Sequence, residues 1–298
     1  MKKNPSINQR IAIASHPTMP EAINEAIKVA QYLRDNGVEP VITASLYDND
    51  LREKIAVGQF DLLIVLGGDG TMLRAGHLCG PISLPILGIN MGRIGFLIEV
   101  KRDQWKKKLK LLLQGEYRLE ERMMLKAEHW RDNLCLGDWQ VLNEVVVCRG
   151  RYVRPIQLHA SVDGYLLASY VADGLIAATP TGSTAYALAV GGPILPPELR
   201  NILVIPVAPH LSPDRAIILS QGANVLIKVN TNHEAVFSVD GHTPVVMLDG
   251  DEVRVKASDH LVKFVRFQDR GYFYRNINRY MEQNPITGDI DDNRRNSI

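Results

Sequence analysis

Apolar positions in the first third of the chain fall into two patterns. Short unbroken runs at 11–14, 41–44, 62–66 and 85–89 suit strands buried on both faces of a parallel sheet. Between them Met19, Ile23, Ile27, Ala30 and Leu33 recur at helical spacing, with Pro20 at the start and Gly37 as the stop. Residues 51–57 read as a weaker helix, and 71–78 as another with Thr71 placed to cap it. This alternation predicts a doubly wound parallel sheet with its site at the carboxyl ends of the strands. Residues 103–114 read as one more helix, basic on the side carrying Lys106, Lys107, Lys108 and Lys110. No aromatic or glycine interleaving accompanies those lysines, so a solvated face is favoured over a nucleic-acid surface.

After Gly115 the pattern changes. Strand-like runs dominate at 141–148, 156–162, 165–171, 202–207, 224–229, 236–239, 253–255 and 261–267. Asp163-Gly164 and Asp240-Gly241 have hairpin-turn composition. Residues 271–282 read as a terminal helix. The charged tail 289–298 lacks apolar anchors and reads as disordered. The expected fold class is therefore α/β: a doubly wound domain over 1–100, then a mostly antiparallel β domain over 101–267. A C-terminal segment, 268–298, packs back on the first domain.

Composition narrows the setting. The chain has 298 residues, 46% of them apolar, enough for two cores. A net charge of +1 provides no strong field for nucleic acid or an anionic membrane. The three cysteines, Cys79, Cys135 and Cys148, form no Cys-x-x-Cys pair, which fits reduced thiols in a cytoplasm. Residues 1–10 lack a signal-peptide apolar core, and no run approaches the roughly 20 residues that span a bilayer.

The candidate chemistry begins where the apolar run 62–66 meets Gly67, Gly68, Asp69, Gly70 and Thr71. Strand, glycine turn and helix N-terminus is a phosphate-binding geometry. A carboxylate at its centre repels phosphate unless a metal ion or a substrate hydroxyl lies between, which points to metal binding or proton acceptance in phosphoryl transfer. The plain alternative is a strand-to-helix turn in which Asp69 only caps. The loop is neither a Walker A loop nor Gly-x-Gly-x-x-Gly. In the β-rich part, Asn143 and Glu144 are adjacent polar residues in an apolar run, so one faces the core side or a cleft unless a strand end or bulge falls there. The segment Thr179-Pro-Thr-Gly-Ser-Thr-Ala-Tyr186 clusters hydroxyls ahead of a helix-like stretch, 185–190, and offers donors to an anion or a ribose. Arg74 and Arg154 are candidate phosphate clamps.

Gly-Gly-Asp-Gly-Thr at 67–71 resembles the signature shared by NAD kinases, lipid kinases and, more distantly, phosphofructokinases. Together with Asn143-Glu144, Ala172-Asp173-Gly174, the Thr179–Tyr186 segment and Gly191-Gly192-Pro193, in this order and spacing, the chain resembles the bacterial NAD kinases over nearly its whole length. The resemblance implies transfer of the γ-phosphate of ATP to the 2′-hydroxyl of the adenosine ribose of NAD, with Mg²⁺ or another divalent metal and no metal ligands assigned. It implies Asp69 as the proton acceptor, with Gly67, Gly68, Gly70, Thr71 and Arg74 around the nucleotide. Asn143, Glu144 and Asp173 line the NAD site; Thr181, Gly182, Ser183, Thr184, Ala185 and Tyr186 wrap NAD; Ala208 and Arg154 occupy a lining and a basic position. It further implies NAD and ATP as partners, a cytoplasmic location and a homo-oligomer, a tetramer or dimer. Two positions depart from the family pattern: His242 stands where glutamine is common, and Val171 where some members have a basic residue. The rival readings are a lipid or sugar kinase of the same superfamily and a non-catalytic NAD(H) sensor.

Overall fold

The computed structural model describes residues 10–92, 95–210 and 212–282. The expected disordered tail, and all but the last residue of the polar N-terminal segment, lie outside them. In chain order the elements are β1 (Ile11–Ser15), α1 (Pro20–Asp35), β2 (Val41–Ser45), α2 (Asn49–Ala56), β3 (Leu62–Gly67), α3 (Asp69–Cys79), β4 (Ile86–Asn90), β5 (Val100–Lys101) and α4 (Trp105–Leu113). There follow β6 (Arg118–Arg131), β7 (Leu134–Val141), β8 (Glu144–Arg149), β9 (Ile156–Val162), β10 (Tyr165–Ala172), β11 (Gly174–Ala178) and α5 (Tyr186–Ala189). The last are β12 (Asn201–Val207), β13 (Ile217–Ser220), β14 (Val225–Asn230), β15 (Ala235–Val239), β16 (Val245–Met247), β17 (Glu252–Arg266) and α6 (Tyr272–Glu282). They form two compact units, Met1–Glu120 with Lys263–Ile298, and Glu121–Val262.

In the first unit the strand order is β2-β1-β3-β4, all parallel, with Phe264 of β17 beside Ile86 of β4. β1 and β3 are buried along their whole length, as their unbroken apolar runs require. The chain leaves β1 for β2 on one side and returns past it to β3, so the topological switch point lies between the carboxyl ends of β1 and β3. Gly67 and Asp69 follow directly from that end of β3. α1 packs its apolar stripe (Ala22, Ala26, Val29, Ala30, Leu33) on the sheet, and α4 adds Trp105, Leu109 and Leu112. At about 25 cal/mol per Å² of apolar area, each buried valine or leucine of these contributes roughly 1.5–3 kcal/mol, and each alanine roughly 0.8 kcal/mol.

The second unit holds two antiparallel arrays. One runs β10-β9-β14-β17 and includes the β6–β7 hairpin; the other runs β13-β12-β11-β8-β15-β16. Their shared core contains Leu125, Val145, Leu158, Tyr170, Leu175, Phe237 and Val253. Both expected hairpin turns are present. Asp163 and Gly164 take φ of 51° and 86°, Asp240 and Gly241 take 49° and 71°, the left-handed values that a two-residue turn needs.

Several expectations change. The helix after β3 begins at Asp69 with Gly68 as N-cap, so Thr71 is a buried residue of its first turn and not the cap. The α2 helix begins two residues before the apolar pattern, because Asp48 accepts the Leu51 N–H at 2.8 Å and starts it. The run 141–148 is two strands broken at Leu142-Asn143, which realises the strand-end reading of that polar pair. The helix-like stretch 185–190 is present as the short α5, Tyr186–Ala189, and a 3-10 turn, Gly182–Thr184, that was not expected precedes it. The β6–β7 hairpin was not expected, because the Arg-Leu-Glu-Glu-Arg sequence that opens β6 does not alternate cleanly.

Candidate functional site

The first constellation lies wholly in the α/β unit. Gly68 is extended and, lacking a side chain, offers the first turn of α3 no side-chain cap. Asp69 is the first helical residue, yet its carboxylate turns away from its own helix. Oδ2 accepts the Phe96 N–H at 2.7 Å, and Oδ1 accepts the Leu97 N–H at 3.2 Å. The capping role considered from sequence is therefore not the one the carboxylate performs. Gly95 permits this approach, since a Cβ there would lie 2.2 Å from Asp69 Oδ2. Arg74 lies on α3 one and a half turns beyond Asp69, exposed, with its guanidinium carbon 5.5 Å from the centre of the Tyr47 ring. It pairs with no carboxylate among the described residues, which leaves its charge available to an anion.

The second constellation lies wholly in the β-rich unit and is built around Asp240. Its carboxylate accepts three successive backbone N–H groups, from Leu142 at 2.7 Å and from Asn143 and Glu144 at 2.8 Å each. These bonds hold open the break between β7 and β8 and set Asn143 and Glu144 at its edge. The Thr179–Thr184 segment is locked on the same break. Thr179 Oγ1 donates to the Leu142 carbonyl at 2.6 Å, and Thr179 N donates to the Asn143 carbonyl at 2.8 Å. Gly182 packs so closely that a Cβ would meet the Asn143 carbonyl oxygen at 2.1 Å. Thr181 and Ser183 are buried: Thr181 Oγ1 accepts from Arg122, and Ser183 Oγ donates to Pro180 and accepts from Leu195 N. Thr184, Ala185 and Tyr186 are the part of the segment that reaches solvent.

Glu144 is buried, and its Oε2 has no hydrogen-bond partner. Burial first, then the neighbouring Asp240 carboxylate, push its pKa up to about 8, against one favourable N–H from Tyr186. Asp173 pairs with Arg149, Nε to Oδ1 at 2.9 Å, and the Arg149 N–H donates to the Asp173 carbonyl. The Tyr186 phenol and Cys148 thiol beside this pair are both raised by burial above their ordinary values. Asp173 N donates to the Val207 carbonyl, and Ala208 follows in the left-handed region at φ 45°. Val171 is tied to the same segment through the Ser212 hydroxyl. His242 is exposed just past the Asp240 turn, its carbonyl accepting from Ser238. Arg154 is exposed in the β8–β9 loop.

Asn143, Glu144, Asp173 and Thr184–Tyr186 thus lie in one connected array, and Gly67–Thr71 with Arg74 in another. Sequence reasoning passed over Arg149, Gly95 and the clamp made by Asp240. Asp240 was legible only as half of a turn dipeptide, because its three N–H partners lie about a hundred residues earlier in the chain.

A family model described as the ATP-NAD kinase N-terminal domain matches residues 11–117, and one described as the ATP-NAD kinase C-terminal domain matches 142–267. An NAD kinase of Heliobacterium modesticaldum is 37% identical over 281 residues, 92% of this chain and 98% of that protein. One of Chloroflexus aurantiacus is 35% identical over 269 residues, 90% and 97% respectively. Among solved structures, yeast NADH kinase complexed with NADH superposes with a TM-score of 0.82 at 26% identity, covering 95% of this chain and 89% of that one. An NAD kinase from Archaeoglobus fulgidus in complex with ATP has the same fold, with a TM-score of 0.74 at 24% identity and coverage of 92% and 99%. With both family models matched in order, and relatives of this identity aligned along almost its full length, the chain belongs to the ATP-NAD kinase family.

Proposed function

We propose that this chain transfers the γ-phosphate of ATP to the 2′-hydroxyl of the adenosine ribose of NAD, forming NADP and ADP, with Asp69 as the proton acceptor. The observation that carries the reading is the placement of Asp69. It stands at the first turn of a helix, after a glycine loop at a switch-point strand, with its carboxylate held by two backbone N–H groups. A ribose hydroxyl is a poor nucleophile at neutral pH, and a carboxylate in hydrogen-bond reach takes its proton as the O–P bond forms. Such a base contributes about 10²–10⁴ in rate. The hydroxyl proton passes to Asp69, the γ-phosphoryl group to the ribose oxygen, and ADP leaves with the bonding pair.

The glycine-loop N–H groups at Gly67, Gly68 and Gly70, the first turn through Thr71, and the uncommitted charge of Arg74 suit the ATP phosphates. In the β-rich unit Asn143, Glu144, Asp173 and Thr184–Tyr186 suit the NAD riboses and amide, with Ala208, Arg154 and His242 at its margin. The buried Thr181, Gly182 and Ser183 act by shaping that segment. Among the described residues no group of three or more His, Cys, Asp or Glu is arranged to hold a metal ion. Mg²⁺ keeps several waters and binds through substrate phosphates plus one or two carboxylates; Asp69 is the carboxylate that would hold it beside the ATP phosphates, and the ion would spread the phosphoryl charge. No helix among the described residues is long and apolar enough to cross a membrane. A cytoplasmic location and a homo-oligomeric state, tetramer or dimer, complete the proposal.

The test is a coupled assay of the protein with NAD, ATP and Mg²⁺, reading NADP with an NADP-specific dehydrogenase. ATP-dependent NADP is the expected product, with no phosphorylation of diacylglycerol or sphingosine. Tight NAD(H) binding without turnover would indicate the sensor reading instead.

A further inference from the structure

The two N–H groups that hold Asp69 belong to a strap, residues 95–99, which is itself anchored. Leu97 donates its backbone N–H to Asp69, and its carbonyl, in the next peptide group, accepts from Arg266 at 2.8 Å. Arg266 is buried in the α/β unit, 5% exposed, near the end of β17. Its guanidinium is shared: Nε and Nη2 both reach Glu120 Oε1 at 3.0 Å, while Nη1 takes the Leu97 carbonyl. Glu120 is buried as well, and Arg118 donates to its other oxygen at 3.2 Å. Two residues past Leu97, Glu99 accepts the Phe267 N–H, at 3.2 Å to one oxygen. The end of β17 therefore grips the strap at two points, and the strap grips Asp69 at two more.

A buried guanidinium is an uncommon way to hold one backbone carbonyl. Its planar fork fixes direction as well as distance, which a lysine ammonium does not. Placement of a catalytic group is sensitive on this scale: a shift of about 1 Å from a distant change can cost about 10²-fold in rate. We propose that Arg266, oriented by Glu120, is a positioning residue for Asp69, acting through the Leu97 peptide, with Gly95 leaving the room for the carboxylate. The inference rests on the reading of Asp69 as the proton acceptor.

The test is a double-mutant cycle on the full chain with NAD, ATP and Mg²⁺. Arg266→Lys keeps a buried cation beside Glu120 but cannot also reach the Leu97 carbonyl in the same geometry. It is expected to lower kcat at least about tenfold, with KM for NAD and for ATP within about threefold, since acceptor placement is felt in the transition state. Glu120→Gln, which keeps an oxygen for Arg266, is expected to retain most of the kcat. In an Asp69→Asn background, Arg266→Lys is expected to remove less than about twofold more, because the group it positions is already gone. An equal factor in both backgrounds, or an unchanged kcat in the single variant, would overturn the inference. Should Arg266→Lys not fold, Arg266→Gln, which also loses the fork that spans Glu120 and the Leu97 carbonyl, enters the same cycle with the same expectations. A readout independent of turnover separates this from the functional reading: amide exchange over residues 95–98 is expected to rise in Arg266→Lys. A wild-type protein that makes no NADP would sink the kinase reading, whereas unchanged exchange in the strap would sink the positioning network.

Discussion

Replacing Glu144 by Gln tests the electrostatics of the β-rich constellation most severely. The carboxyl has moved from an ordinary 4.5 to about 8, through burial and then the Asp240 carboxylate. The unfolded chain ionises Glu144 near pH 4.5, while the folded chain keeps the proton until about pH 8. Below pH 4.5 both states are protonated and the residue costs nothing. As pH rises from 4.5 to 8 the unfolded state releases its proton alone, so stability falls, and above pH 8 the loss is complete. At about 1.36 kcal/mol per pH unit the ceiling is roughly 5 kcal/mol. Glutamine has nearly the shape of the neutral acid and still accepts the Tyr186 N–H, so the variant is expected to match wild type at pH 5 and to exceed it by a few kcal/mol at pH 9. Urea unfolding at the two pH values measures the gap. The same group makes a binding prediction. If NAD hydroxyls donate to the carboxylate, only its ionised fraction is competent, about a tenth at pH 7 for a pKa of about 8. Affinity of wild type for NAD should then tighten about tenfold between pH 7 and 9, and that of Glu144→Gln should stay flat. The neighbouring Cys148 and Tyr186 are raised above their ordinary values and do not supply this step. A stability gap that does not grow with pH, together with a flat wild-type affinity, would refute the reasoning.

Three further outcomes are expected. Asp240→Ala strands three backbone donors, so it should destabilise the β-rich unit by about 3 kcal/mol or more in denaturant unfolding and weaken NAD binding, while Asn, which keeps one acceptor oxygen, should cost less. Ala208 sits at φ 45°, so Ala208→Gly should stabilise by about 1 kcal/mol and Ala208→Val should destabilise, both readable as shifts in thermal unfolding. The Asp251 carboxylate takes Arg131 at 2.8 Å on each oxygen and His129 at 2.8 Å, and its pKa stands at about 2 against an ordinary 3.8. A lowered pKa stabilises above 3.8 and that contribution disappears as pH falls through about 2; acid titration of stability should show this loss in wild type and not in Asp251→Asn.

The parallel sheet was legible because β1, β3 and β4 are buried on both faces, which leaves unbroken apolar runs, while β2 at the edge is partly exposed. The two Asp-Gly hairpins were legible because left-handed φ demands few residue types. Boundaries set by side-chain chemistry were not. Asp48 starts α2 ahead of its apolar pattern, and Gly68 caps α3 without a side chain. The motif residues of the site were visible as motifs, but the groups that orient them were not. Asp240 clamps residues 142–144, Arg266 holds the Leu97 carbonyl, and Arg149 pairs with Asp173, each over a sequence separation that no local pattern records.

The central claim is that Asp69 accepts the ribose proton, and Asp69→Asn addresses it directly. The substitution removes basicity while keeping size. It also leaves only one oxygen for the Phe96 and Leu97 N–H groups, so a stability loss of about 1–3 kcal/mol is expected, and turnover should be measured well below the melting temperature. With NAD, ATP and Mg²⁺ at saturation, kcat for NADP formation should fall at least about 10²-fold, with NAD affinity by calorimetry changed far less. Turnover within a few-fold of wild type in the folded variant would contradict the assignment.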